Sequence, residues 1–196
     1  MRGKMLALSI TIIAGMLRKA LAWTMFLGVV FSLPAGADDT KLRFKGGIGV
    51  HPVSAGVAVA PTSGTAPVVE SVSRNIVRGV QPAGQIWVID KLDAKVSASG
   101  RITVDGKGLV LGGGNSAGRA TGQAVLATLI CQPTAPFTES RSSSAGVTLS
   151  PNGDFKINDT LSPLPPDVCT SPMLLIRNAA NLGWFAVGIF RSGNDD

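Results

Sequence analysis

The clearest signal in the chain is an alternation of apolar and polar residues. Lys91, Asp93, Lys95 and Ser97 alternate with Leu92, Ala94, Val96 and Ala98. A period of two puts one set on a dry face and the other in water, as in a half-buried β-strand. Gly100 ends the run, and Ile102 and Val104 resume it. Asp105-Gly106 then reads as a turn, with Leu109-Val110-Leu111 as the return arm of a hairpin. Residues 42–50 read as a strand kinked at Gly46-Gly47, and residues 86–89 as a short β-rich run. Residues 123–131 are apolar on both faces, which predicts a central strand.

Residues 147–149 and 155–157 flank Ser150-Pro151-Asn152-Gly153. Asn-Gly between alternating arms is a strong hairpin signal, and it points Phe155 and Ile157 inward. Residues 173–176 and 184–190 give the last two strands, joined through Asn178-Ala179-Ala180-Asn181. Residues 133–145 read as a polar loop and residues 162–166 as a Pro-rich connection. Nothing after residue 37 carries a sustained helical period with caps. Short strands separated by turn residues predict an all-β fold, read here as a single antiparallel β-sandwich, with an immunoglobulin-like form as one arrangement. The sandwich is assigned to residues 71–196. Residues 38–70, rich in small residues and proline, read as an extended N-terminal segment at the domain edge.

The first 37 residues read differently. Arg18-Lys19 precede an apolar run over residues 20–33, Pro34 breaks it, and Ala35-Gly36-Ala37 supplies a small-x-small site. That order predicts a secretory signal peptide over residues 1–37, cleaved after Ala37. A second apolar run precedes it, and a start at Met16 leaves a well-proportioned leader. Both runs fall short of the roughly 20 residues that span a bilayer as a helix. Retention as an anchor is the alternative. The expected location is the periplasm or the cell exterior.

Cysteine usage agrees with export. Cys131 and Cys169 are the only two, both beyond the leader, and their spacing is not C-x-x-C. In an oxidising compartment they predict one disulfide. Charge changes its meaning for the same reason. The chain of 196 residues has a formal net charge of +6, but Arg2, Lys4, Arg18 and Lys19 lie in the leader. Without the leader, 14 basic residues face 12 acidic ones, a net charge of +2. Lys41, Arg43 and Lys45 alternate along one strand face and read as solubilising. A nucleic-acid partner is therefore not expected.

Candidate chemistry is sparse. Gly114-Asn115-Ser116-Ala117-Gly118 matches G-x-S-x-G, which in hydrolases seats a serine on a strand-to-helix turn. The serine needs a base. His51, the single histidine, precedes it in the chain, and the next element reads as a strand. Gly113 to Gly118 has the first spacing of a phosphate loop, but Arg119-Ala120 stands where Lys and Ser or Thr are needed. Asn152, Asp154, Asn158 and Asp159 include Lys156 among them and fall short of a calcium cage. Glu70, Glu139, Asp90 and Asp93 form no acid–base pair in the pattern. Trp87 and Trp184 are candidate stacking platforms for a sugar, or core residues. No catalytic residue, metal or cofactor is expected.

Three stretches carry a resemblance: Phe44-Lys45-Gly46-Gly47-Ile48-Gly49-Val50, Gly106-Lys107-Gly108-Leu109-Val110-Leu111-Gly112-Gly113-Gly114-Asn115 and Leu174-Leu175-Ile176-Arg177-Asn178. On these the chain resembles a group of small bacterial exported all-β proteins without an assigned activity. The resemblance implies one exported domain and attaches no ligand or site. The function expected is that of a non-enzymatic binding, adhesion or surface-structural module with a protein or glycan partner, reached in one version by strand addition at an exposed edge. The alternatives are a small secreted serine hydrolase using Ser116 and a protease-inhibitor-like protein presenting residues 162–166.

Overall fold

The computed structural model describes residues 39–55 and 72–192. The expected leader and most of the small-residue stretch lie outside these residues. Among the described residues every element is a strand. They run β1 (Thr40–Gly49), β2 (Val53–Ala55), β3 (Val72–Arg74), β4 (Trp87–Val88), β5 (Lys91–Ser97), β6 (Arg101–Lys107), β7 (Val110–Leu111), β8 (Ala124–Ile130), β9 (Glu139–Arg141), β10 (Val147–Thr148), β11 (Phe155–Thr160), β12 (Met173–Asn178) and β13 (Trp184–Arg191).

Nine strands form one antiparallel sheet in the order β10-β8-β12-β13-β1-β5-β6-β11, with β9 also on β8. The two layers expected of a sandwich are thus replaced by one continuous sheet. It curls until its ends nearly meet, giving a barrel-like shape. At the seam Arg141 and Ser162 exchange two backbone hydrogen bonds, at 2.9 and 2.8 Å. The Ser143 N–H donates to the Asp159 carboxylate at 2.7 Å. Near-closure of this kind shortens the open edges.

The periodicity explains the halves of the sheet. In β5 and β6 residues alternate strictly between buried and exposed, with Leu92, Ala94, Val96, Ile102 and Val104 inward. β8 and β12 are buried on both faces. Segment 77–89 packs across β13. There Trp87 stacks on Phe185 with ring centroids 4.1 Å apart, and the Trp184 indole N–H donates to the Asn75 carbonyl at 3.0 Å. The sheet therefore has a covered half and a wet half, and the wet half is β1, β5, β6 and β11.

Several pairings depart from the pattern. β1 lies between β13 and β5, an interior place where the sequence suggested the domain edge. Its register shifts between Phe44 and Gly47, at the expected glycine kink. Asp105-Gly106 makes no turn: both residues lie inside β6. Gly106 is there because Phe155 of β11 lies over it, and a Cβ would overlap the ring. The return arm β7 pairs with β4 in a separate two-stranded sheet, and not with β6. The Asn-Gly turn does form, with Ser150 N–H bonded to the Asp154 carbonyl at 3.0 Å. Its arms separate, however, β10 to β8 and β11 to β6. The turn therefore bridges the seam. Finally, the polar segment 133–145 contains the short strand β9. The last hairpin, β12 with β13, forms as expected, and Asn178 Oδ1 caps its turn by accepting from Ala180 and Asn181 N–H.

Candidate functional site

The predicted disulfide is present: Cys131 and Cys169 are bonded, with Cα atoms 4.7 Å apart. It ties the end of β8 to the irregular segment before β12. A structural disulfide belongs to a compartment outside the reducing cytosol.

Ser116 sits in a run of turns between β7 and β8, with no helix after it. Gly114 and Gly118 both have positive φ, +74° and +76°, which is what closes this loop. Among the described residues, no base hydrogen-bonds the Ser116 hydroxyl. His51 lies exposed just past β1, where its carbonyl accepts from Asn75 Nδ2 at 3.1 Å. The motif's glycines do structural work here. The acidic and amide residues near the Asn-Gly turn are likewise engaged locally. Asp154 accepts from Gly108 N–H and from Asn152, and Asp159 accepts from Ser143 and Thr160 N–H. Among the described residues no three His, Cys, Asp or Glu gather as a metal site would need. Trp87 and Trp184 are 4% and 3% exposed, so the aromatic-platform version of sugar binding fails.

Among the described residues, two hollows are the widest of those that bear on function. One, about 560 Å³, lies over the seam between residues 139–144 and 159–163. Its polar groups are consumed in closing the sheet: the Ser142 hydroxyl accepts from Ala127 N–H at 3.0 Å, and Ser143 is held by Asp159. Beside it lies an ion network. Arg177, 5% exposed, donates to Glu139 Oε2 at 2.7 Å and to the Leu182 carbonyl at 2.7 Å. Arg141 reaches the same Glu139 oxygen at 3.1 Å. This network pins β9 to β12.

The other hollow, about 470 Å³, lies on the outer face of the wet half. Register builds it in two rows. Cross-strand partners share a face, so Arg191, Arg43, Lys95, Thr103 and Asn158 stand side by side across β13, β1, β5, β6 and β11. The next row is Lys45, Asp93, Asp105 and Lys156. Asp93 is bonded to Lys91 at 2.7 Å and Asp105 to Lys156 at 2.6 Å. The hydrogen bond from Lys156 holds the Asp105 carboxyl below its ordinary range, and the bond to Asp93 raises the Lys91 ammonium. The second row balances its own charge. The first brings Arg191, Arg43 and Lys95 side by side at a lateral spacing of about 4.8 Å per strand, followed by Thr103 and Asn158.

The residues now aligned with Arg43 lie far away in the chain, so the sequence showed only one strand's contribution. The wet alternation of residues 91–97 and the Arg191 near the chain end were the available signals; what was missing was the register. Comparison with family models, curated proteins and solved structures finds no match.

Proposed function

We propose that the chain is an exported, non-enzymatic binding protein whose outer sheet face takes an acidic glycan. In this reading residues 1–37 direct export, cleavage follows Ala37, and the domain works in the periplasm or outside the cell. The observation that carries it is the row Arg191, Arg43 and Lys95 beside a hollow, with Thr103 and Asn158 continuing it. Guanidinium groups match carboxylate and sulfate oxygens in pairs. The neighbouring hydroxyl and amide suit sugar hydroxyls. An extended row across strands fits a linear polymer better than a compact anion. The burial of both tryptophans turns the reading from stacking to charge.

The test is calorimetry with a uronate polymer, a sulfated glycan and duplex DNA, in low salt and in added salt. Binding to the acidic glycans that falls with salt, and that is lost in Arg43→Glu with Lys95→Glu, is the expected result. Salt sensitivity follows from screening, with a Debye length of about 10 Å at 0.1 M. Equal binding by the variant, or a preference for DNA, would overturn the assignment.

A further inference from the structure

Segment 162–170 is held from several sides yet shows apolar side chains to water. Val168 is 74% exposed and Leu164 59%. At the start of the segment, buried Leu161 donates its N–H to the Gly100 carbonyl at 2.9 Å, and Ser162 is bridged to Arg141. In the middle, the Lys41 ammonium donates to the Pro166 carbonyl at 2.9 Å. At the end, Cys169 is bonded to Cys131. The Arg78 guanidinium locks this end further, reaching the Ile130 carbonyl at 2.9 Å and the Ser171 carbonyl at 2.6 Å. Pro165 and Pro166 fix their own φ and drive Leu164 and Pro165 into extended conformations.

Most exposed loops lose conformational entropy when a partner grips them. Here the tethers have removed that freedom in advance, which favours binding. Leu164 and Pro165 are extended, and past a bend at Asp167 the exposed Val168 side chain stands off the surface, where a groove that reads peptide side chains can grip it. Among such partners, a protease must also be kept from releasing the two halves after cutting. Only one bond beside an exposed aliphatic residue meets that need. Leu164 is followed by proline. Val168, by contrast, is followed by Cys169, which the disulfide anchors, while Lys41 holds Pro166 on the other side.

We infer that this segment docks in the substrate groove of a serine protease with an aliphatic primary pocket, with Val168 filling the pocket, and so inhibits it. Hydrolysis of the Val168–Cys169 bond would add one water across it. Both ends would stay tethered to the sheet, so the new carboxyl and amine remain within reach and the reverse step returns the water. The surface involved is distinct from the cationic row. Failure of one assignment therefore leaves the other standing.

The test uses the full chain, oxidised, against pancreatic elastase and trypsin. Elastase should be inhibited and trypsin untouched. Val168→Arg should move inhibition to trypsin and weaken it on elastase by about 30-fold or more, the scale of losing a central anchor. Cys131→Ala with Cys169→Ala should turn the inhibitor into a substrate cut after residue 168. Circular dichroism of Val168→Arg checks that the fold is kept, which its exposure predicts. Absence of elastase inhibition by the native chain overturns the inference, as does inhibition that Val168→Arg neither weakens nor transfers.

Discussion

Replacing Glu139 by Ala isolates a charge inside the sheet. The Arg177 side chain is 6% exposed, and its guanidinium relies on Glu139 at 2.7 Å and on the Leu182 carbonyl. Removing the carboxylate leaves a nearly buried cation with one neutral acceptor. Breaking a buried pair in this way costs about 3–5 kcal/mol. Glu139 itself is 25% exposed, so water reaches part of the gap and the lower end, about 3 kcal/mol, is expected. The matching control is Arg141→Ala. That guanidinium is 43% exposed, and its contribution should stay within about 1 kcal/mol. By thermal unfolding, Glu139→Ala should lower Tm by about 6–12 °C, at 2–4 °C per kcal/mol for a chain of this size. A third variant, Glu139→Leu with Arg177→Met, should recover most of the loss, because exchanging both partners removes the stranded charge. If Glu139→Ala costs no more than Arg141→Ala, the network is solvated and the argument from burial fails.

Three further outcomes follow from packing and charge. Gly106→Ala should destabilise by about 1–3 kcal/mol by overpacking against Phe155, and Phe155→Leu in the same chain should restore part of it in urea titrations. Opening the disulfide, which closes a separation of 38 residues, should lower the urea midpoint by the equivalent of roughly 4 kcal/mol on the chain-entropy account. The lowered carboxyl of Asp105 favours the fold in its charged form. Its contribution is thus complete at neutral pH and is lost as pH falls through the lowered value, and Asp105→Asn should flatten that acid limb in a pH series of melting curves.

How much of this was readable beforehand depends on the range of the interaction. The alternation in residues 91–97 and the inward Phe155 and Ile157 were legible because they are local, with a period of two. The bulge at Gly46-Gly47 and the final hairpin were legible for the same reason. The partners of β1 were not, since Arg43 meets Lys95 and Arg191 across long stretches of chain. The Asn-Gly turn shows the limit: its residues predicted the bend, but the destinations of its arms depended on closure of the whole sheet. Asp105-Gly106 misled because the same dipeptide serves a turn or a ring contact, and only Phe155 decides between them. Arg177 sits in an apolar run and gave no sign that Glu139, far upstream, would meet it.

The place of β1 has a consequence in time. Its neighbour β13 is the last strand of the described chain, and β1 lies between it and β5. During synthesis β1 emerges first and waits for a partner that emerges last. Long-range strand pairing of this kind is slow, because loop-closure entropy must be met before the contacts reward it. The sheet can curl shut only once the whole domain has been made. Until then the β8–β12 side and the β5–β6–β11 side are separate pieces, and only the meeting of β1 with β13 joins them into one sheet.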